Sequence, residues 1–370
     1  MLTPVYNGEA YLARCIESTL AQTYPHWEYV IVDNASSDAT LDIARRYAAH
    51  DHRLRVYTNR RTVPVVENFN IAARHVSPES RWCKYVCADD ILFPECLERM
   101  VELAGQHPTV GLVSAYHLQG PTLTLGGLPY PSPVLPGREV GRASLLGFLH
   151  AFGSPTAHMI RADFVRAREA FYDEANLHAD EAACYEVLTA SDFGFVHQVL
   201  TYAEVHRSSV TFSVARQLNT YLLGHLRILK THGRAYLTTD EHDRVLDERL
   251  DAYCTFLTRA LLSPARRQIW RYHRDGLRDL GVSLSRGRLC RAILRQLLQS
   301  ALSPGPELRN LVRLIRPRDN DGPRWRHWWA PTGFEAVKSV EPLESLVMLP
   351  VDDRLASDAR RVASAGEAVS

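Results

Sequence analysis

Residues 1–90 alternate short apolar runs with amphipathic segments, and this alternation restricts the fold more than any other feature of the chain. Thr3-Pro4-Val5-Tyr6-Asn7-Gly8 reads as a strand end and tight turn, after which Tyr11, Leu12, Cys15, Ile16 and Leu20 recur at helical spacing. The next strand, Tyr29-Val30-Ile31-Val32, runs into Asp33-Asn34-Ala35-Ser36-Ser37-Asp38, whose Asp and Ser residues suit the cap of a helix over Thr40 to Ala49. Leu54-Arg55-Val56-Tyr57 forms a third strand ending near Asn59-Arg60-Arg61, and a helix follows over Val65 to Arg74. The run Trp82 to Cys87 is then a fourth strand that delivers Asp89 and Asp90. The order β-α-β-α-β-α-β predicts an α/β fold with a mostly parallel, doubly wound sheet flanked by helices.

Ligands of such sheets bind beyond the carboxyl ends of the strands, where Tyr6, Asn7, Asp33 and Asp89 all fall. Adjacent carboxylates at a strand end can hold a hard divalent cation, which in turn can hold a diphosphate. The pair also suits the cap of a helix expected over Pro94 to Ala104. Convergence of several strand ends on one edge favours the binding site.

The blocks Pro4-Val5-Tyr6-Asn7-Gly8, Ser18-Thr19-Leu20-Ala21-Gln22-Thr23-Tyr24, Val30 to Asp38 and Ala88-Asp89-Asp90 resemble those of the family 2 inverting glycosyltransferases of the GT-A fold. The resemblance spans roughly the first 210 residues in order and spacing, and identifies a family rather than a sugar. It implies transfer of a sugar from a nucleotide-diphosphate donor, a UDP-sugar first among the candidates, to an acceptor hydroxyl with Mn2+ or Mg2+. Pro4, Tyr6 and Asn7 would lie along the nucleotide, Asp33 would hydrogen-bond the base, Asp89 would bind the metal and Asp90 would stand beside it. Arg60 or Arg61 would approach the nucleotide.

Inversion also asks for a carboxylate that takes the acceptor's proton. The resemblance places it at Asp180, with Glu181 as its neighbouring alternative, although an Asp here also suits the cap of the following helix. Asp192 to Leu200 resembles the closing strand of the family, and His206 matches a histidine that approaches metal or diphosphate. His197, in an apolar run, reads as structural. His158 stands in a stretch flanking the acceptor pocket, and Gly120 to Gly141, rich in Pro and Gly, reads as an extended loop over the acceptor side.

Three departures from the family pattern matter. Cys87 stands where the metal motif often has a first Asp, and a thiol is a poor ligand for hard cations. Glu204 stands where Arg is common. The first strand, beginning at Met1-Leu2, is about five residues shorter than usual, which suggests an internal start or a truncated chain.

The 370 residues divide into a catalytic domain over 1–214, a helical Arg-rich extension over 215–317 and a tail over 318–370 containing Trp325, Trp328 and Trp329. The tail reads as partly disordered, and its tryptophans as anchors to the globule or to a partner. Helices are expected over Gln217 to His232 and Glu241 to Leu262. In residues 286–302, Leu289, Ile293, Leu297 and Leu298 form a stripe beside Arg286, Arg288, Arg291 and Arg295. That pattern suits peripheral contact with an anionic membrane, or a helix packed on the catalytic domain with solvated arginines. A net charge of +1 argues against a nucleic-acid partner. Seven cysteines without a paired framework read as free thiols in a reducing compartment, so the expected location is the cytoplasm or the inner face of its membrane. The expected acceptor is a glycan or lipid-linked glycan of the cell surface. Two other readings are an inactive nucleotide-sugar-binding scaffold, suggested by Cys87, Glu204 and the short strand, and a nucleotidyltransferase. The second is opposed by Asn7-Gly8-Glu9, which lacks the glycines and basic residues of a triphosphate loop.

Overall fold

The computed structural model describes residues 1–120, 122–125, 128–206 and 214–302, with the backbone alone for 299–302. The tail with Trp325, Trp328 and Trp329 lies outside the described residues.

The first half follows the alternation closely. Strand β1 (Leu2–Val5) leads to α1 (Leu12–Leu20), β2 (Tyr29–Asp33) to α2 (Thr40–Ala48), and β3 (Leu54–Thr58) to α3 (Val65–Ala73). The three strands form a parallel sheet in the order β1-β2-β3, with Val5 opposite Asp33 and Asp33 opposite Thr58. This register brings Val5, Asp33 and Thr58 to one edge. Helix α1 turns Leu12, Cys15, Ile16 and Thr19 into the core, so its apolar spacing is the spacing of its packing face.

Strand β1 is short, pairing along its length with β2 and through Leu2 with the segment around Tyr85. Val30 N–H donates to Met1 O, Leu2 N–H to Lys84 O, and Val86 N–H to Leu2 O, each at 2.9 Å. Through the Leu2–Tyr85 bridge the parallel sheet continues into a second, mixed one. Its main path is β4 (Trp82–Cys83), β9 (His158–Arg161), β6 (Val110–Gln119), β10 (Asp192–Ala203) and β5 (Asp90–Leu92). The long fourth strand expected over 82–87 is thus shorter. Only Trp82 and Cys83 form a ladder, antiparallel to β9; residues 84–86 turn to Leu2 of β1, and Cys87 N–H goes to the Thr156 hydroxyl (2.9 Å). The Pro- and Gly-rich segment holds two short strands, β7 (Thr122–Leu123) and β8 (Val134–Leu135), and helix α5 (Gly137–Leu145) already begins within it. Helices α4 (Cys96–Gln106), α6 (Ala162–Arg166) and α7 (Ala179–Leu188) complete this part.

Four longer helices follow the short α8 (Arg216–Leu218): α9 (Thr220–Tyr236), α10 (Thr239–Ala260), α11 (Arg266–Asp279) and α12 (Arg286–Leu302). Thr238 and Glu241 form a reciprocal capping box that fixes the start of α10. Helix α9 packs on α5 and α7, and Gly141 and Gly224 permit the approach. A Cβ on Gly141 would lie 2.2 Å from the Tyr236 ring, and one on Gly224 2.5 Å from the His178 ring. The described residues belong to one compact unit.

Candidate active site

The ends of β1, β2 and β3 make one wall. Asp33 is buried, and its carboxylate accepts from the Thr58 hydroxyl (2.8 Å) and from Ser36 N–H (3.3 Å). Asn7 adopts a left-handed backbone with φ 49°, a conformation Asn tolerates better than most residues. Its side-chain oxygen accepts from Ser37 N–H and its own N–H donates to Ser36 Oγ, both at 2.9 Å. The turn after β1 is therefore locked to the turn after β2, which fixes Asp33. Tyr6 stands exposed on this turn, whereas Pro4 is buried in β1 opposite Val32. Arg60 and Arg61, just past β3, are exposed.

A second group forms around Asp89. His206, 117 residues away in sequence, places Nε2 2.8 Å from Asp89 Oδ2, and its ring stacks on Tyr11 of the β1–α1 turn at 4.5 Å. Both side chains retain some exposure. Asp90 is buried at the start of β5, and burial first, then the Asp89 charge, raises its carboxyl well above the ordinary range. The Asp pair does not cap α4, whose cap position is Glu95. Burial also holds the Cys87 thiol far above its usual range, so a neutral sulfur replaces the carboxylate of the commoner motif.

Two cations near this group were not singled out from the sequence. Arg14 lies 3.4 Å from Glu204, so α1 supplies a guanidinium beside the position where the family pattern has Arg. One helical turn from Tyr11, it was legible only once α1 and the end of β10 were known to meet. Lys84 is fully buried, donating to the carbonyls of Thr156 (2.6 Å) and His158 (3.4 Å). Its ammonium helps neutralise the interior beneath Asp90.

The third group opens α7. Asp180 is in the first turn but does not cap it: His178 holds the cap position and makes no side-chain capping bond. Burial raises the Asp180 carboxyl to about 7, partly opposed by a hydrogen bond from Glu181 N–H. Glu181 goes the other way. Burial would raise it, but the charge and hydrogen bond of His225, 3.3 Å away, outweigh burial and hold it at about 2. Two adjacent carboxyl groups thus differ in their readiness to hold a proton, and environment causes the difference.

Helix α9 supplies this environment. Thr220 Oγ lies 2.8 Å from His178 Nε2, Tyr221 lies against the His178 ring at 4.5 Å, and His225 meets Glu181. Arg249 of α10 donates to His225 O (2.6 Å) and Leu145 O (3.0 Å), tying α9 to α5. His225 was missed in the sequence, where the i, i+4 pair Tyr221 and His225 is the only available hint. His158 is buried on β9, its Nδ1 3.4 Å from Phe152 O, with burial lowering it to about 4, so it is a core residue rather than an acceptor contact. His197 is likewise structural, with Nε2 2.9 Å from Ser132 O.

Asp89 and His206 are donors of the types that bind Mn2+ or Mg2+, and they already converge. Among the described residues no cluster of three or more such side chains is arranged to hold a metal. The donor set therefore fits an ion completed by substrate phosphate and water, as Mg2+ is commonly bound, rather than an all-protein cage.

Residues 1–168 match the family model described as glycosyl transferase family 2. EpsE of Bacillus subtilis (strain 168), named as a glycosyltransferase, is 28% identical over 266 residues, covering 66% of this chain and 92% of that protein. TuaG of the same organism, named for teichuronic acid biosynthesis, is 33% identical over 122 residues, or 32% of this chain and 46% of TuaG. Among solved structures, S. aureus TarS 1-349 in complex with UDP-GlcNAc superposes with a TM-score of 0.52 at 17% identity, covering 68% of this chain and 70% of that one. The mannosyltransferase PcManGT of Pyrobaculum calidifontis, in complex with GDP-Man and Mn2+, gives 0.50 at 15% identity, with 85% and 82% covered. These structural likenesses establish a GT-A-like fold.

Proposed function

From the premise that this chain belongs to glycosyl transferase family 2, we propose that it is an inverting, metal-dependent enzyme acting on a nucleotide-diphosphate sugar. The carrying observation is the pair of carboxyl groups opening α7, one held near 7 by burial and one held near 2 by His225. A group with a pKa close to working pH is suited to accept a proton and release it again.

In this reading Asp33, with its fixed carboxylate, accepts a hydrogen bond from the base, and the exposed Tyr6 ring covers one face of it. Pro4 supports that wall from within β1, and Asn7 holds the turn. Asp89 and His206 would hold Mn2+ or Mg2+ with the donor's phosphate oxygens, and the bound cation would stabilise charge on the departing diphosphate. Asp90 backs Asp89 from the interior. Ionised Asp180 accepts the proton of the acceptor hydroxyl as its oxygen bonds to the anomeric carbon. The bond from that carbon to the phosphate oxygen breaks on the opposite face, and the nucleoside diphosphate leaves.

UDP is the first candidate nucleotide, supported by TarS with UDP-GlcNAc, while PcManGT with GDP-Man keeps GDP in the test. A glycan of the cell surface is the proposed acceptor class, supported by the name of TuaG. The test is release of nucleoside diphosphate from UDP-, GDP- and dTDP-sugars with Mn2+, comparing the wild type with Asp180→Asn. Release from one donor that Asp180→Asn loses while donor binding persists is expected. Donor binding without turnover in the wild type, against a broad acceptor panel, would favour the scaffold reading suggested by Cys87.

A further inference from the structure

Helix α12 packs on α10 through one side, and of the stripe read from the sequence only Leu289 is half-buried, whereas Ile293, Leu297 and Leu298 are exposed together with Leu294. Arg288 reaches Asp251 at 2.8 Å and also pairs with Asp247, while Gln296 donates to Thr255 O (2.9 Å) and lies 2.7 Å from Thr258 Oγ. Ala292 is buried between these residues. The positions 288, 292 and 296 therefore form one face at i, i+4 spacing, and that face is the packed one. Ile293, Leu294, Leu297 and Leu298 lie on the far side, with 42%, 58%, 63% and 53% of their surface exposed. A helix that packs on its own domain ordinarily buries its apolar stripe. Here the four large aliphatic side chains point away.

The patch extends beyond one helix. The contacts pair residue 288 with 247 and 251, and 296 with 255 and 258, so the two helices run side by side in the same direction. That register carries the end of the stripe toward Leu261 and Leu262, which are 48% and 67% exposed at the end of α10. The charge carried by α12 itself is of one sign. Residues 286–302 contain four arginines and no acidic residue. Arg288 and Arg295 are engaged with the acidic side chains of α10, whereas Arg286 and Arg291 are exposed on α12, and Arg266 and Arg267 are exposed at the start of α11.

We propose that this surface docks the protein on an anionic lipid bilayer, α12 lying in the interface plane with Ile293, Leu294, Leu297 and Leu298 inserted below the headgroups. An exposed aliphatic stripe bordered by arginines has the two features that an interfacial helix uses, apolar area and attraction to anionic headgroups. No helix of the described residues is long and apolar enough to span a membrane, and the attachment proposed is that of an interfacial helix. Charge selects the occupant. A second copy of this chain would bring the same arginines against one another, whereas a sheet of lipid phosphates complements them. The proposal does not depend on the sugar-transfer reading.

The experiment is flotation of the full chain with vesicles of phosphatidylcholine alone and with 30% phosphatidylglycerol, at about 0.1 M and 0.5 M salt. Binding to the anionic vesicles, at least tenfold weaker on phosphatidylcholine and weaker at high salt, is expected. Arg286→Gln with Arg291→Gln should weaken it about fivefold per arginine, and Leu294→Glu with Leu297→Glu should abolish it. Circular dichroism of each variant keeps the comparison to folded protein, because none of the four positions is buried. Equal binding to both vesicle types, or no binding to either, overturns the proposal. Loss of a solution dimer in Leu294→Glu with Leu297→Glu, without vesicle binding by the wild type, assigns the patch to a second copy instead.

Discussion

Replacing Asp180 by Asn should inactivate the protein and stabilise it in the same step. The wild-type carboxyl is raised by burial from 3.8 to about 7, whereas in the unfolded chain it ionises near its ordinary value. A raised carboxyl favours folding fully below about pH 4, and that contribution is lost as pH rises through about 7. Raising the carboxyl from 3.8 to about 7 sets a ceiling of ~4 kcal/mol at pH 8. Partial exposure of Asp180 reduces the figure to roughly 2 kcal/mol. Asn cannot ionise, so Asp180→Asn escapes this cost, and its melting temperature at pH 8 should exceed the wild type's by roughly 3 °C. At pH 5 the gain should be less than half as large. Differential scanning calorimetry at the two pH values measures both. The wild-type kcat/KM should rise through an apparent pKa near 7, because the ionised form is the base. If Asp180→Asn melts at or below the wild type at pH 8, the carboxylate is a stabilising anion at the start of α7. Asp180 is then not a base with a raised pKa.

Three other expectations concern neighbouring parts of the site. His225→Gln removes the partner that keeps Glu181 ionised in a half-buried place, and should cost about 1 kcal/mol in urea denaturation at pH 7; unchanged stability would mean that the pair contributes nothing. Gly224→Ala places a Cβ 2.5 Å from the His178 ring, two residues before Asp180, and should lower kcat more than it lowers donor affinity by calorimetry. Equal losses in both would point to general unfolding. Asp33→Asn keeps an acceptor for the Thr58 hydroxyl, so melting should change by less than ~2 °C while donor affinity falls at least tenfold; unaltered affinity would remove Asp33 from the base contact.

Much of this architecture was legible because local rules and global fold agree. The apolar spacing of α1 and the runs at β1, β2 and β3 are the buried positions themselves, and parallel strands joined by helices leave few topologies. Asp89 and His206 were assigned to one ion from motifs 117 residues apart, and the fold brings them within 2.8 Å. What escaped the sequence depends on contacts between distant elements. The run after Cys83 is apolar enough for a longer strand, but residues 84–86 pair with Leu2 alone and Thr156 captures the Cys87 N–H beyond them. Glu204 read as a lost cation, and only the approach of α1 reveals Arg14 beside it. His225 acquires a role solely because α9 lies over α7. Three residues of the α12 stripe, Ile293, Leu297 and Leu298, were visible in the sequence, but Leu294 was not among them, Leu289 is half-buried, and the outward direction is set by Arg288 and Gln296 gripping α10 on the other side.

The most direct test of a metal-dependent donor site is isothermal titration of UDP-, GDP- and dTDP-sugars into the wild type and Asp89→Ala, each with and without Mn2+. One donor should bind the wild type at least tenfold more tightly with Mn2+, and Asp89→Ala should lose that enhancement while retaining weak metal-free binding through Asp33. Equal affinity with and without Mn2+, or an enhancement that survives in Asp89→Ala, would contradict the assignment of Asp89 and His206 to the metal.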